Sequence, residues 1–183
     1  SAAGLLFLRI APDSNKVLPE KHAFNKAISI ADTHFGGSKV IYAMYDGDVT
    51  DPGLLNSLDR YERELKMLPN VGTVTSLATI VRKISKALND STESGYDAIP
   101  PSQQAIAQYL ELYSMSGDPA DLEQYVSFDY TKTLMTIQYQ ADNLAQVRQI
   151  PDMLHRLSQK DSLTPVIGGP SLTDKDISES VEH

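Results

Sequence analysis

Asp51-Pro52-Gly53-Leu54-Leu55-Asn56-Ser57-Leu58-Asp59-Arg60-Tyr61-Glu62-Arg63-Glu64-Leu65-Lys66-Met67-Leu68-Pro69-Asn70-Val71-Gly72-Thr73-Val74-Thr75-Ser76-Leu77 reads as helix, stop, strand and new helix start. Asp51 is a capping residue and Pro52 suits the first helical position, where its missing N–H costs no hydrogen bond. Leu54, Leu55, Leu58, Tyr61, Leu65 and Leu68 recur at helical spacing and form one apolar face. Asp59, Glu62 and Glu64, with Arg60, Arg63 and Lys66, read as the charged face turned to solvent. Pro69-Asn70 ends the helix, Val71 to Thr75 alternates as a short strand, and Ser76 caps the next helix.

Working outward, Leu77, Ile80, Val81, Ile84 and Leu88 form one side of that second helix. The polar stretch from Asn89 to Pro101 reads as a loop, and a helix from Ser102 to Tyr113 turns Ile106, Tyr109, Leu110 and Tyr113 inward. Asp118-Pro119 caps a short turn. Tyr125 to Asp129 and Thr133 to Tyr139 alternate as two strands, read as a hairpin through Tyr130-Thr131-Lys132. A long helix carries Leu144, Val147, Ile150, Leu154 and Leu157, kinked or split at Pro151, and Leu163 to Ile167 is the last strand. Toward the N-terminus, Val40 to Tyr45 is a continuous apolar run, expected as a strand covered on both faces or packed against helices. Before it come an amphipathic helix with Phe24, Ala27, Ile28, Ala31 and Phe35, stopped at Gly36-Gly37, and a strand from Leu5 to Ile10.

Without that first strand, the order is strand, helix, strand, helical insertion, strand, helix, strand. Two βαβ halves of this kind predict an α+β fold with a ferredoxin-like split βαβ sheet. Residues 1–17 are expected as a lead-in strand, 18–169 as the α+β domain, with 76–118 as a helical insertion long enough for a small lobe, and 170–183 as a tail.

The chain has 183 residues, 24 acidic and 16 basic, for a net charge of −8. An acidic chain argues against nucleic acid as partner, because phosphate binding needs a concentrated basic surface. The absence of cysteine excludes disulfides, thiolate metal sites and a cysteine nucleophile. The longest apolar run, Ala2 to Leu8, is far short of the ~20 residues of a membrane-spanning helix.

No catalytic, cofactor or metal site is expected. His22, His34, His155 and His183 are scattered, with no pair at ligand spacing. Asp46, Asp48 and Asp51 resemble a calcium loop superficially, but Asp51 stands where glycine is required and Ser57 where glutamate is required. A strand-to-helix turn with a helix cap explains them better. Gly36-Gly37 and Gly168-Gly169 lack the Lys-Ser/Thr of a phosphate loop. There is neither a Gly-x-Ser-x-Gly elbow nor a His-Glu-x-x-His helix.

One further set of residues speaks to function. It runs from Phe35-Gly36-Gly37-Ser38 through Asp51-Pro52-Gly53-Leu54-Leu55 and Leu68 to Leu77, then Ile84, Ala87-Leu88-Asn89 and Ile99-Pro100-Pro101-Ser102. Ile106-Ala107-Gln108-Tyr109-Leu110-Glu111-Leu112-Tyr113-Ser114-Met115-Ser116-Gly117-Asp118 and Tyr125 to Tyr130 continue it. Together they resemble the extracytoplasmic loops of resistance–nodulation–division (RND) exporters, in the hydrophobe efflux and MMPL-type branch. The likeness spans Leu18 to Gly169. Ile99 departs from the family's usual Leu, and Ile167-Gly168-Gly169 from a more usual Thr-Gly.

The resemblance implies a porter domain of a proton-driven exporter, on the periplasmic side of the inner membrane. It would take hydrophobic or lipid-like amphiphilic cargo and pass it outward. Its partners would be the transmembrane helices and the other porter loop of the same protein, which the family allows to be a homo-oligomer. Residues 1–17 and 170–183 would be membrane-proximal, and the Ala-Gln-Tyr-Leu feature looks more like a second-half loop than a first-half one. Tyr109, Tyr113, Met115, Tyr125 and Phe128 are the candidates for lining a cargo cleft, with a packed core as their competing use. The rival reading is a free-standing ferredoxin-like ligand-binding or sensor module.

Overall fold

The computed structural model describes residues 39–117, 119–141 and 143–169. The expected strand at Leu5–Ile10, the helix around Phe24–Phe35, the Gly36-Gly37 stop and the tail from Pro170 lie outside the described residues. Among the described residues nine elements follow one another: β1 (Lys39–Asp46), α1 (Pro52–Lys66), β2 (Val71–Thr75), α2 (Leu77–Leu88), α3 (Gln103–Ser116), α4 (Pro119–Glu123), β3 (Lys132–Tyr139), α5 (Leu144–Lys160) and β4 (Val166–Gly168). The fold is α+β.

The four strands make one antiparallel sheet in the order β2-β3-β1-β4. β1 is central, pairing along its full length with β3 from Lys39↔Tyr139 to Asp46↔Lys132, and with β4 over Tyr42↔Gly168 to Met44↔Val166. β1 and β2 are therefore parallel with β3 between them, and β3 and β4 are parallel with β1 between them. Each strand–helix–strand unit thus clasps a strand of the other, so neither half has a complete sheet alone.

The pleat sorts β1 by alternation. Ile41, Ala43 and Tyr45 join the main core with Met135, Ile137 and Tyr139 of β3, Ile167 of β4, and residues from α1, α2, α3 and α5. On the other face, Val40, Tyr42 and Leu134 form a second buried cluster, with Met44 packed against it. α1 and α5 cover the same face: Leu55, Leu58, Tyr61 and Leu65 meet that core alongside Val147, Ile150 and Leu154. Hydroxyls and a carboxylate tie the C-terminal end of α5 to β1 and to α1. The Tyr45 and Ser158 hydroxyls lie 2.8 Å apart in the interior, and Asp161 accepts from Tyr61 and pairs with Arg60.

Two glycines are demanded by backbone geometry. Gly47 turns the chain out of β1 at φ +154°, where L side chains are strained. At Gly169, a Cβ would lie 2.7 Å from the Val40 carbonyl oxygen, so the chain passes β1 too closely for any side chain.

Four expectations need correction. Tyr125–Asp129 is not a strand: one bridge, Val126↔Thr133, is all that remains of the hairpin. The Ser127 hydroxyl accepts from the amides of Thr131 and Lys132, Asp129 accepts from Thr131, and Tyr130 takes a left-handed φ of 59°, curling the segment instead. The last strand begins at Val166, not Leu163, because the Leu163 amide still bonds the Ser158 carbonyl and Pro165 has no amide to give. α5 is one helix through Pro151 and is not split there. The insertion is no separate lobe: Leu77, Ala78, Val81, Ile106 and Leu110 belong to the sheet's own core.

Leu58 is fully buried at the centre of α1's apolar face. Leu58→Ala is expected to cost about 2–5 kcal/mol, read from urea unfolding, since a cavity adds to the lost transfer energy.

Candidate functional site

The insertion is seated on α1 by two carboxylates that the charged pattern of that helix placed in solvent. Both are buried: Asp59 is 8% exposed and Glu62 1% exposed. Their sites come from position on the helix. Asp59 and Glu62 flank Leu58 and Tyr61 on the side where α2 crosses, whereas Arg63, Glu64 and Lys66 face outward.

Glu62 accepts from the hydroxyls of Ser76 and Thr79, the latter at 2.6 Å. Those hydroxyls are themselves the cap of α2. The Ser76 oxygen accepts from the Ala78 amide at 3.1 Å, and the Thr79 oxygen accepts from the Ser76 amide at 3.2 Å. A carboxylate at a helix N-terminus also meets the positive end of the helix dipole. Desolvation nonetheless dominates and raises the Glu62 pKa, opposed by the two hydroxyls and Lys66 and reinforced by Asp59.

Asp59 holds the next turn of α2. Arg82 Nη1 donates to it at 2.8 Å while Arg82 Nε donates to Asp97 at 2.9 Å, so one guanidinium bridges α1 and the loop after α2. Arg82 and, more weakly, Lys86 hold the Asp97 carboxyl below the ordinary carboxylate range. Asp97 takes a left-handed φ of 52°, and the next amide, Ala98, donates to the buried Ser85 hydroxyl at 3.0 Å. Asn89 adds bonds to the Ser85 and Gly95 carbonyls. The polar Asn89–Pro101 loop is thus folded down on α2 by side chains.

The five cargo-cleft candidates divide. Tyr109, Tyr113 and Tyr125 are half-buried and pack against the main core. Tyr113 donates to Asp121 at 3.2 Å, and Tyr125, its hydroxyl pKa raised chiefly by burial, lies among Thr75, Asp121, Glu62 and Tyr113. These three therefore serve the packing of the insertion. Met115, on the last turn of α3, and Phe128, in the turn before β3, are each 78% exposed. Leu112, one turn before Met115, is exposed too, and α3 carries a single charged residue, Glu111, along its whole length.

The aspartates after β1 all have structural partners. Asp46 pairs with Lys132 at 2.7 Å, Asp48 accepts from the Thr50 amide and from Gln103 of α3, and Asp51 caps α1 through the Gly53 amide. Among the described residues, no group of three or more His, Asp or Glu is placed to hold a metal ion, and no helix is long and apolar enough to cross a membrane.

No family model matches the chain, and none of the curated proteins matches it.

The buried positions of Asp59 and Glu62 were missed in the sequence because both sit in an alternating run of charges. The signal was there in part: Ser76 and Thr79 follow Glu62 across a short strand, as a helix cap in need of an acceptor.

Glu62 generates a pH dependence whose sign follows from its raised folded-state pKa. Its contribution to stability is fully present below about pH 4.3, the unfolded value, and is lost as pH rises through the folded value. Asp48, Asp97 and Asp129, all lowered, act oppositely and at lower pH. Urea unfolding of wild type and Glu62→Gln across this range should therefore show the variant gaining on wild type as pH climbs. Parallel pH profiles would contradict the buried carboxylate.

Proposed function

We propose that this chain is a porter-type extracytoplasmic domain of a proton-driven RND-type exporter. It works on the periplasmic side of the inner membrane and conveys hydrophobic or amphiphilic cargo outward. It carries out no bond chemistry of its own. The observation that carries the reading is the strand order β2-β3-β1-β4 with its interlocked strand–helix–strand units, broken between β2 and β3 by α2–α4. That is the order of a ferredoxin-like split βαβ sheet, the fold that the resemblance implies for a porter subdomain. The residues of the likeness also fall at structural joints: Asp51-Pro52 opens α1, Ser76 caps α2 and Ser102 caps α3.

A single continuous core with an outer helix that bears one charge and exposes Leu112 and Met115 suits such a role. Coupling would move the domain as a body, shifting the population of inward- and outward-facing arrangements, and proton transfer would take place in the membrane helices. Met115 and Phe128, both exposed and free of the core, are the residues here best able to meet cargo or the other porter loop.

The test uses the full-length protein and surface substitutions. Removing 76–118 would strip seven buried side chains from the core. Efflux of a lipophilic fluorescent probe should depend on the proton gradient. It should fall about tenfold, a loss of roughly 1.4 kcal/mol of productive interaction, in Met115→Glu/Phe128→Glu protein at unchanged membrane level. Unaltered efflux would remove these residues from the path. Full-length protein lacking apolar spans of about 20 residues beside this domain would overturn the exporter reading and favour the free-standing module.

A further inference from the structure

We propose that the groove between α1 and α5 binds a single-chain anionic amphiphile, its head held by Arg156 and Lys160 and its chain laid over Met153 and Leu157. The groove encloses about 470 Å³ and is lined by Glu64 from α1 and by Met153, Arg156, Leu157, Gln159 and Lys160 from α5. Small-molecule sites typically span roughly 300–1,000 Å³, so the space suits a ligand and is too small for a partner helix.

Helical spacing builds the lining. Met153 and Leu157 lie one turn apart, half-buried, their inner sides packed on the main core. Arg156 and Lys160 lie one turn apart beside them, which sets their Cβ atoms about 5–6 Å from each other. One carboxylate or sulfate can reach both. The described ion pairs engage Arg60, Arg63, Arg82, Lys86 and Lys132, and neither groove cation is among them. In a chain of net charge −8, two cations without an ion-pair partner among the described residues, beside an apolar floor, are a local reversal of sign. Across the groove stands one opposing carboxylate, Glu64, so the lining holds two cations against one anion. That balance admits an anionic head and repels an ammonium one. Exposed charge pairs are individually weak, so the chain's contact with Met153 and Leu157 has to supply part of the affinity.

None of the five cargo-cleft candidates lines this groove. The proposal goes beyond the exporter reading and stands whether or not that reading holds. The test is a titration of the isotope-labelled 183-residue chain with dodecanoate below its micelle concentration. Dodecyl maltoside and dodecyltrimethylammonium serve as the neutral and cationic twins. The expected result is saturable shifts of the Met153 and Leu157 methyl signals by dodecanoate alone, with a Kd below about 1 mM. Arg156→Gln/Lys160→Gln should weaken binding at least about tenfold, and Glu64→Gln should tighten it about two- to threefold, by loss of a like charge. All three are exposed side chains outside the ion pairs found among the described residues, so thermal unfolding should be unchanged in these variants. Equal response to the three amphiphiles, shifts confined to other residues, or no effect of either variant would overturn the proposal.

Discussion

A carboxylate buried against a helix cap organises this domain. Glu62 leaves water to accept two hydroxyl hydrogen bonds at the start of α2, and a buried charge is tolerated only where such partners are fixed. The bond fixes the direction in which the chain leaves β2, and so where Leu77, Ala78 and Val81 enter the core. Asp59 repeats the arrangement one turn away through Arg82, which in turn holds the Asn89–Pro101 loop by Asp97. Removing either carboxylate's partners would leave a charge with nothing to answer it, a larger loss than a surface ion pair.

Much of the fold was legible because its period was clean. The apolar face of α1, the Asp51 and Ser76 caps and the unbroken run of β1 each have one physical solution, and each is found where the spacing placed it. What was not legible depended on partners distant in sequence. Nothing local to Tyr125–Asp129 says that the Ser127 hydroxyl will capture two amides and curl the chain. Nor does the charged face of α1 reveal that a helix will cross two of its acids. The insertion reads as long enough for a small lobe, since periodicity shows that a face is buried but not against what.

The candidate site was less legible still. The resemblance groups five aromatic and methionine positions, and the fold separates them: three tyrosines pack inward while Met115 and Phe128 stand in solvent. An aromatic residue at helical spacing serves a core or a cleft equally well, and burial alone tells them apart. The exposed, almost uncharged side of α3 and the cationic groove between α1 and α5 are separate surfaces, one nearly free of charge and one of reversed charge. In the proposed exporter, the first would face cargo or the second porter loop, and the rigid core would carry both as one body.

Whether the insertion and the sheet are one body is best measured by native-state amide hydrogen exchange at increasing denaturant. A single core seated by Glu62 and Asp59 predicts that Val81 and Ile84 of α2 and Leu110 of α3 open with the same free energy as Ile41 of β1 and Ile137 of β3. Opening of α2 and α3 together at a distinctly lower free energy, with the sheet still protected, would contradict it.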